Sequence, residues 1–96
     1  MKPAISVITV TFNAAALLPG LMDSLRTQTD RDFEWVVVDG ASTDGTVALL
    51  NSSGDILSHW ISEPDFGIYD AMNKALQMAR GEYYLVMGIL AQNNIR

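Results

Sequence analysis

The chain has 96 residues, room for one domain, and a domain of that size buries only about two-thirds of the surface its unfolded chain exposes. With 49% hydrophobic and 18% charged residues it is composed as a globular protein and not as a disordered one. No cysteine is present, which excludes disulfides, zinc knuckles and thiol catalysis; the single histidine, His59, excludes a multi-histidine metal site; and a net charge of -5 makes nucleic acid a poor partner.

The first apolar stretch, Ala4 to Phe12, is interrupted by Ser6, Thr9 and Thr11 and lacks a small-residue cleavage site, so no export signal is expected. Its β-branched run from Ile5 reads as a strand buried on both faces, with Asn13 placed to cap the next helix. Leu18, Leu21 or Met22, and Leu25 fall on one helical face; Pro19-Gly20 predicts a late start near Leu17 and an end near Gln28. Phe33 to Val38 is a second buried strand, closed abruptly by the turn-forming run Asp39 to Thr46. A short helix fits Val47 to Asn51, and a weaker third strand fits Ile56 to Ser62. The clearest helix comes next, because Ile68, Ala71, Met72, Ala75, Leu76 and Ala79 recur at helical spacing, with Gly81 where a C-terminal glycine belongs. Tyr83 to Met87 is a fourth strand, and the run Tyr83 to Ala91 is about half of what a bilayer span needs, so a soluble protein is expected. Gly88 to Arg96 has no readable period.

Strands alternating with helices predict an α/β, Rossmann-like parallel sheet of about four strands and three helices. In such sheets ligands bind beyond the carboxyl ends of the strands, where the polar and glycine-rich residues of this chain concentrate. Asp39 follows a bulky apolar run, so its carboxylate is partly desolvated and needs donors or a cation; it either accepts from a ligand's N–H or holds the following turn. Gly40, Gly45 and Thr46 let backbone amides approach a ligand, yet the loop matches neither a P-loop, a dinucleotide fingerprint nor a calcium loop. Asp44 is expected to cap the second helix, Asp65 the third, and Asp70 with Lys74 forms a helical ion pair. No serine has a base and an orienting acid in its pattern, so a hydrolase triad is not supported. A receiver-like signalling domain would need an acidic pair after the first strand, where this chain has Thr11-Phe12-Asn13.

Four blocks, in colinear order over about residues 4 to 87, resemble the family 2 glycosyltransferases: Ile5 to Asn13, Asp39 to Thr46, Ser62-Glu63-Pro64-Asp65-x-Gly67 through Ala75, and Ala79-x-Gly81-Glu82-Tyr83. The resemblance implies a GT-A, nucleotide-diphosphate-sugar-binding half over residues 1–87, with 88–96 a tail unlike the family. It implies that Asp39 accepts a hydrogen bond from uracil or another base. It places the Val10, Thr11, Phe12 and Asn13 segment and Gly40 against the nucleotide, and Asp65 and Asn73 along the same pocket. It further implies inverting transfer from a UDP-sugar to an acceptor hydroxyl in glycan or polysaccharide synthesis, with Mg or Mn on the diphosphate, in a cytoplasmic or inner-membrane-peripheral protein. The family's acidic metal motif, with an aspartate near position 91, has no counterpart, because no Asp or Glu follows Glu82. The 96 residues are therefore expected to be inactive alone, as a truncated or frame-altered piece or as a natural short relic. The competing reading is a non-catalytic nucleotide-binding or self-association module that pairs through an exposed sheet edge.

Overall fold

The computed structural model describes residues 3–64 and 67–90. Seven elements alternate: β1 (Ile5–Phe12), α1 (Leu18–Arg26), β2 (Phe33–Asp39), α2 (Thr46–Asn51), β3 (His59–Ser62), α3 (Ile68–Met78) and β4 (Tyr83–Leu90). The strands form one sheet in the order β3-β2-β1-β4, every pair parallel, as the alternation of strand and helix requires.

Side-chain alternation along β1 and β2 divides the core in two. Val7, Trp35 and Val37 face α1 and α2, where they pack with Leu18, Met22, Leu25 and Leu50. Ile8, Val10, Val36 and Val38 face the other way, against Ala71 and Ala75 of α3. The alanines let the α3 backbone lie close to the sheet, while each buried Val or Ile contributes about 1.5–3 kcal/mol of transfer free energy. The polar end of the largest buried side chain is satisfied: the Trp35 indole N–H donates to Thr9 Oγ1 at 2.9 Å.

Four expectations need correction. Asn13 does not cap α1; it adopts a left-handed conformation and bonds across to the loop after β2, and α1 begins at Leu18 with no side-chain cap. β3 is only four residues long, because Ile56 and Leu57 are buried in a turn closed by their N–H groups donating to Ser53 O. Gly81 is not the helix-terminating glycine: α3 ends at Met78 and passes through extended Ala79. Gly81 is required instead by close approach, since a Cβ there would lie 2.6 Å from Ser6 N and 2.8 Å from Ile5 C. Finally, β4 runs through Leu90, beyond the strand end expected at Met87; residues 91–96 lie outside the described residues.

The amino end of the sheet is tied by a buried polar network. Ser6 Oγ and Arg80 N both donate to Glu34 Oε2, and Gly81 N donates to Ser6 Oγ at 2.7 Å. Beside it, on the α1 side, Ile5, Val7, Leu21, Leu25, Leu85 and Met87 line a groove of 420 Å³. This groove lies at the opposite end of the sheet from the loops that concentrate the polar residues.

Candidate functional site

Parallel pairing brings the carboxyl ends of β1, β2 and β3 to one rim, and register makes the alignment specific: Thr11 pairs with Asp39, and Asp39 with Ser62. Asp39 is 0% exposed. Its Oδ1 accepts from Thr11 Oγ1 and Ser42 Oγ, both at 2.6 Å; its Oδ2 accepts from Ser42 N and Ser62 Oγ, both at 2.8 Å. The backbone repeats the pattern, with Gly40 N donating to Thr11 O and Glu63 N to Asp39 O, each at 3.0 Å. The carboxylate, expected to need donors, accepts four hydrogen bonds from within its own chain, two of them from the turn that follows.

The loop after β2 is laced to the exit of β1. Asn13 N donates to Ser42 Oγ and Thr43 N to Asn13 Oδ1, each at 2.8 Å. Ala14 N donates to Thr46 Oγ1 at 2.9 Å, and Ala15 N to Asp44 Oδ2 at 3.1 Å. Asp44 Oδ1 accepts from Thr46 N at 2.9 Å and from the Thr46 hydroxyl, which secures the start of α2 much as expected of a cap. Desolvation alone would raise the Asp44 pKa, but the bonds from Thr46 and from the Ala15 N–H outweigh it and hold the carboxyl below its ordinary value. Two residues on this rim sit at positive φ, Asn13 at 50° and Ala41 at 61°.

The third side of the rim is held from α3. Lys74 Nζ lies 2.9 Å from Glu63 Oε1 and 3.4 Å from Asp70 Oδ2, and donates to Pro64 O at 3.3 Å. The hydrogen bond from Lys74 to Glu63, with Asp70 adding to it, raises the lysine pKa. The expected Asp70–Lys74 pair is therefore present, and it also clasps the chain leaving β3.

Of the residues singled out from sequence, Thr11, Asn13, Asp39 and Gly40 meet at this rim. The side chains of Val10 and Thr11 are fully buried beneath it, and Phe12 is half-buried at its edge. Asn73 is exposed on α3 and takes part in none of these bonds, and Asp65 lies outside the described residues. Sequence reasoning missed Ser42, Ser62 and the tie from Thr46 to Ala14. A serine three residues after a strand-end aspartate is close enough in the chain to donate back to its carboxylate, and that was the available signal for Ser42. Nothing local marks Ser62, which reaches Asp39 only through strand order.

A parallel α/β sheet with a polar rim across its strand ends defines a domain of the Rossmann-like, ligand-binding class. The family described as Glycosyl transferase family 2 matches residues 6–88, and the chain belongs to that family. It is 42% identical, over 90% of its length, to a PGL/p-HBAD biosynthesis glycosyltransferase of Mycobacterium bovis (strain BCG / Pasteur 1173P2), of which it covers 35%. It is 35% identical, over 85% of its length, to the putative teichuronic acid biosynthesis glycosyltransferase TuaG of Bacillus subtilis (strain 168), of which it covers 34%. Among solved structures it superposes with TM-score 0.79 and 32% identity on the mannosyltransferase PcManGT from Pyrobaculum calidifontis in complex with GDP-Man and Mn2+, covering 92% of this chain and 28% of that one. It superposes with TM-score 0.80 and 31% identity on S. aureus TarS 1-349 in complex with UDP-GlcNAc, covering 88% of this chain and 26% of that one. The fold is that of the GT-A glycosyltransferases, and the chain spans about a third of the length of the curated relatives it matches. Among the described residues, no helix is long and apolar enough to cross a membrane.

Proposed function

We propose that this chain forms the nucleotide-diphosphate-sugar-binding half of an inverting glycosyltransferase that builds a polysaccharide or cell-surface glycan. The observation that carries the reading is the rim: three strand-end loops knitted into one rigid edge, on a fold shared with proteins that hold GDP-Man and UDP-GlcNAc. The backbone of Val10 to Asn13 and of Gly40 faces the nucleotide, Asp39 lies directly beneath, and Asn73 extends the pocket from α3, with Asp65 a further nucleotide contact. A UDP-sugar is the expected donor.

In inverting transfer an acceptor hydroxyl gives its proton to a carboxylate base and its oxygen attacks the anomeric carbon, while the bond to the nucleotide diphosphate breaks on the opposite face. No base is assigned within these residues. A divalent cation, when bound, supplies charge neutralisation to the departing diphosphate. Among the described residues no three of Asp, Glu and His converge, so no ligand set and no step are assigned to such a cation here.

Calorimetry of the 96-residue polypeptide with UDP- and GDP-sugars tests the reading, alongside an assay of released nucleotide diphosphate. Saturable binding without turnover is expected. A folded chain that binds neither nucleotide sugar overturns the binding site, and chelation-sensitive turnover overturns the inactivity. A second reading, association of two copies through the sheet edge, is favoured by one observation: the outer strand β4 carries exposed Tyr83, Tyr84, Leu85 and Val86 and no charge.

A further inference from the structure

We propose that Asp39 is a positioning residue: its carboxylate sets the three loops of the rim and does not touch the nucleotide. The proposal rests on the nucleotide-binding reading for its ligand, and on the geometry of Asp39 for its substance.

An ionised carboxylate offers two oxygens with about four acceptor directions. At Asp39 four donors already fill them, from Thr11 on β1, from the hydroxyl and the backbone N–H of Ser42 on the loop after β2, and from Ser62 at the end of β3. These are the short bonds expected of a charged acceptor, and the side chain has no exposed surface through which a base could approach. For a base N–H to reach either oxygen, one of the four donors would have to leave. The Ser42 N–H cannot rotate away without moving the loop, and a displaced Thr11 hydroxyl would be stranded among buried groups. One charge therefore fixes the spacing of three neighbouring strand ends, and the surface left for the ligand is the backbone of Gly40 to Ser42 with Phe12 and Asn13. The same carboxylate holds the loop that contains left-handed Ala41 and the serine that receives Asn13 N.

Thr11→Val separates positioning from contact. Thr11 is fully buried beside Asp39, so its hydroxyl reaches no ligand, and valine keeps its shape. Loss of that one donor is expected to weaken UDP binding by about three- to tenfold. In the nucleotide-free chain it is also expected to move the amide resonances of Ser42 and Glu63, which meet Asp39 and not Thr11. Asp39→Asn is expected to weaken UDP and CDP by the same factor, because cytosine lacks the ring N–H that uracil would present to a carboxylate. A loss confined to UDP overturns the proposal, as does Thr11→Val that leaves both affinity and loop amides unchanged. If Asp39→Asn does not fold, Thr11→Val carries the decision. If the wild-type chain binds no nucleotide while Thr11→Val moves the Ser42 and Glu63 amides, the nucleotide reading fails and the organisation of the rim by Asp39 stands.

Discussion

Ala41 stands at φ 61°, where the Cβ of an L-residue crowds its own backbone at a cost of about 1–2 kcal/mol. The loop tolerates this because Asp39 and Ser42 fix it from below, through the two bonds between Ser42 and the carboxylate. Asn13, at φ 50° on the facing loop, is better suited, since its short amide side chain accepts from Thr43 N locally. Ala41→Gly should relieve the strain and lose part of the gain to the more flexible unfolded chain, leaving a net stabilisation of about 0.5–1 kcal/mol. Urea unfolding of the two proteins measures it, and a destabilised glycine variant contradicts the strain argument.

At the scale of elements, glycine has two different meanings in this chain. Gly81 joins α3 to β4 where the backbone runs against β1, and its N–H donates to Ser6 Oγ. A methyl group there would meet backbone atoms of Ile5 and Ser6 that cannot rotate away. Gly81→Ala is expected to cost about 2–3 kcal/mol and to loosen the network around Glu34. Gly20, in the first turns of α1, has open space instead: a methyl group there would meet no heavy atom within 4 Å. Gly20→Ala is expected to stabilise by about 0.5 kcal/mol through helix propensity and chain entropy. Thermal unfolding of both variants checks the contrast, and equal shifts would remove the packing explanation for Gly81.

At the scale of the molecule, both faces of the sheet's centre are covered while, among the described residues, one edge strand is exposed. β1 and β2 are buried between α1, α2 and α3, but among the described residues β4 pairs with β1 alone and leaves Tyr83 70% exposed. An eight-residue edge without lysine, glutamate or proline is an open template for another strand. The isolated chain is expected to associate with concentration, and Val86→Lys, at the middle of that edge, is expected to suppress association while changing stability by less than about 1 kcal/mol. Sedimentation across a range of concentrations reads the difference; a monomeric wild type removes the edge-pairing reading.

The strand and helix alternation was legible in the sequence because it rests on local periodicity. The β-branched runs at Ile5 and Phe33 and the alanine-rich face of α3 each have one way to bury themselves. The family was legible too, from four colinear blocks, and so were the pairing of Asp70 with Lys74 and the hold of Asp44 on α2, which span a turn of chain or less. What tertiary structure alone decided lies between distant segments. Asp39 reads locally as a strand-end acid, and only strand order puts Thr11 on one side of it and Ser62 on the other, 28 and 23 residues away in sequence. Gly81 fitted a helix terminus by position, and only the approach of β1 shows that it is a packing glycine. Local pattern fixes what each segment forms, because backbone and burial preferences act over a few residues; which polar group is satisfied, and by whom, depends on neighbours that only the folded sheet supplies.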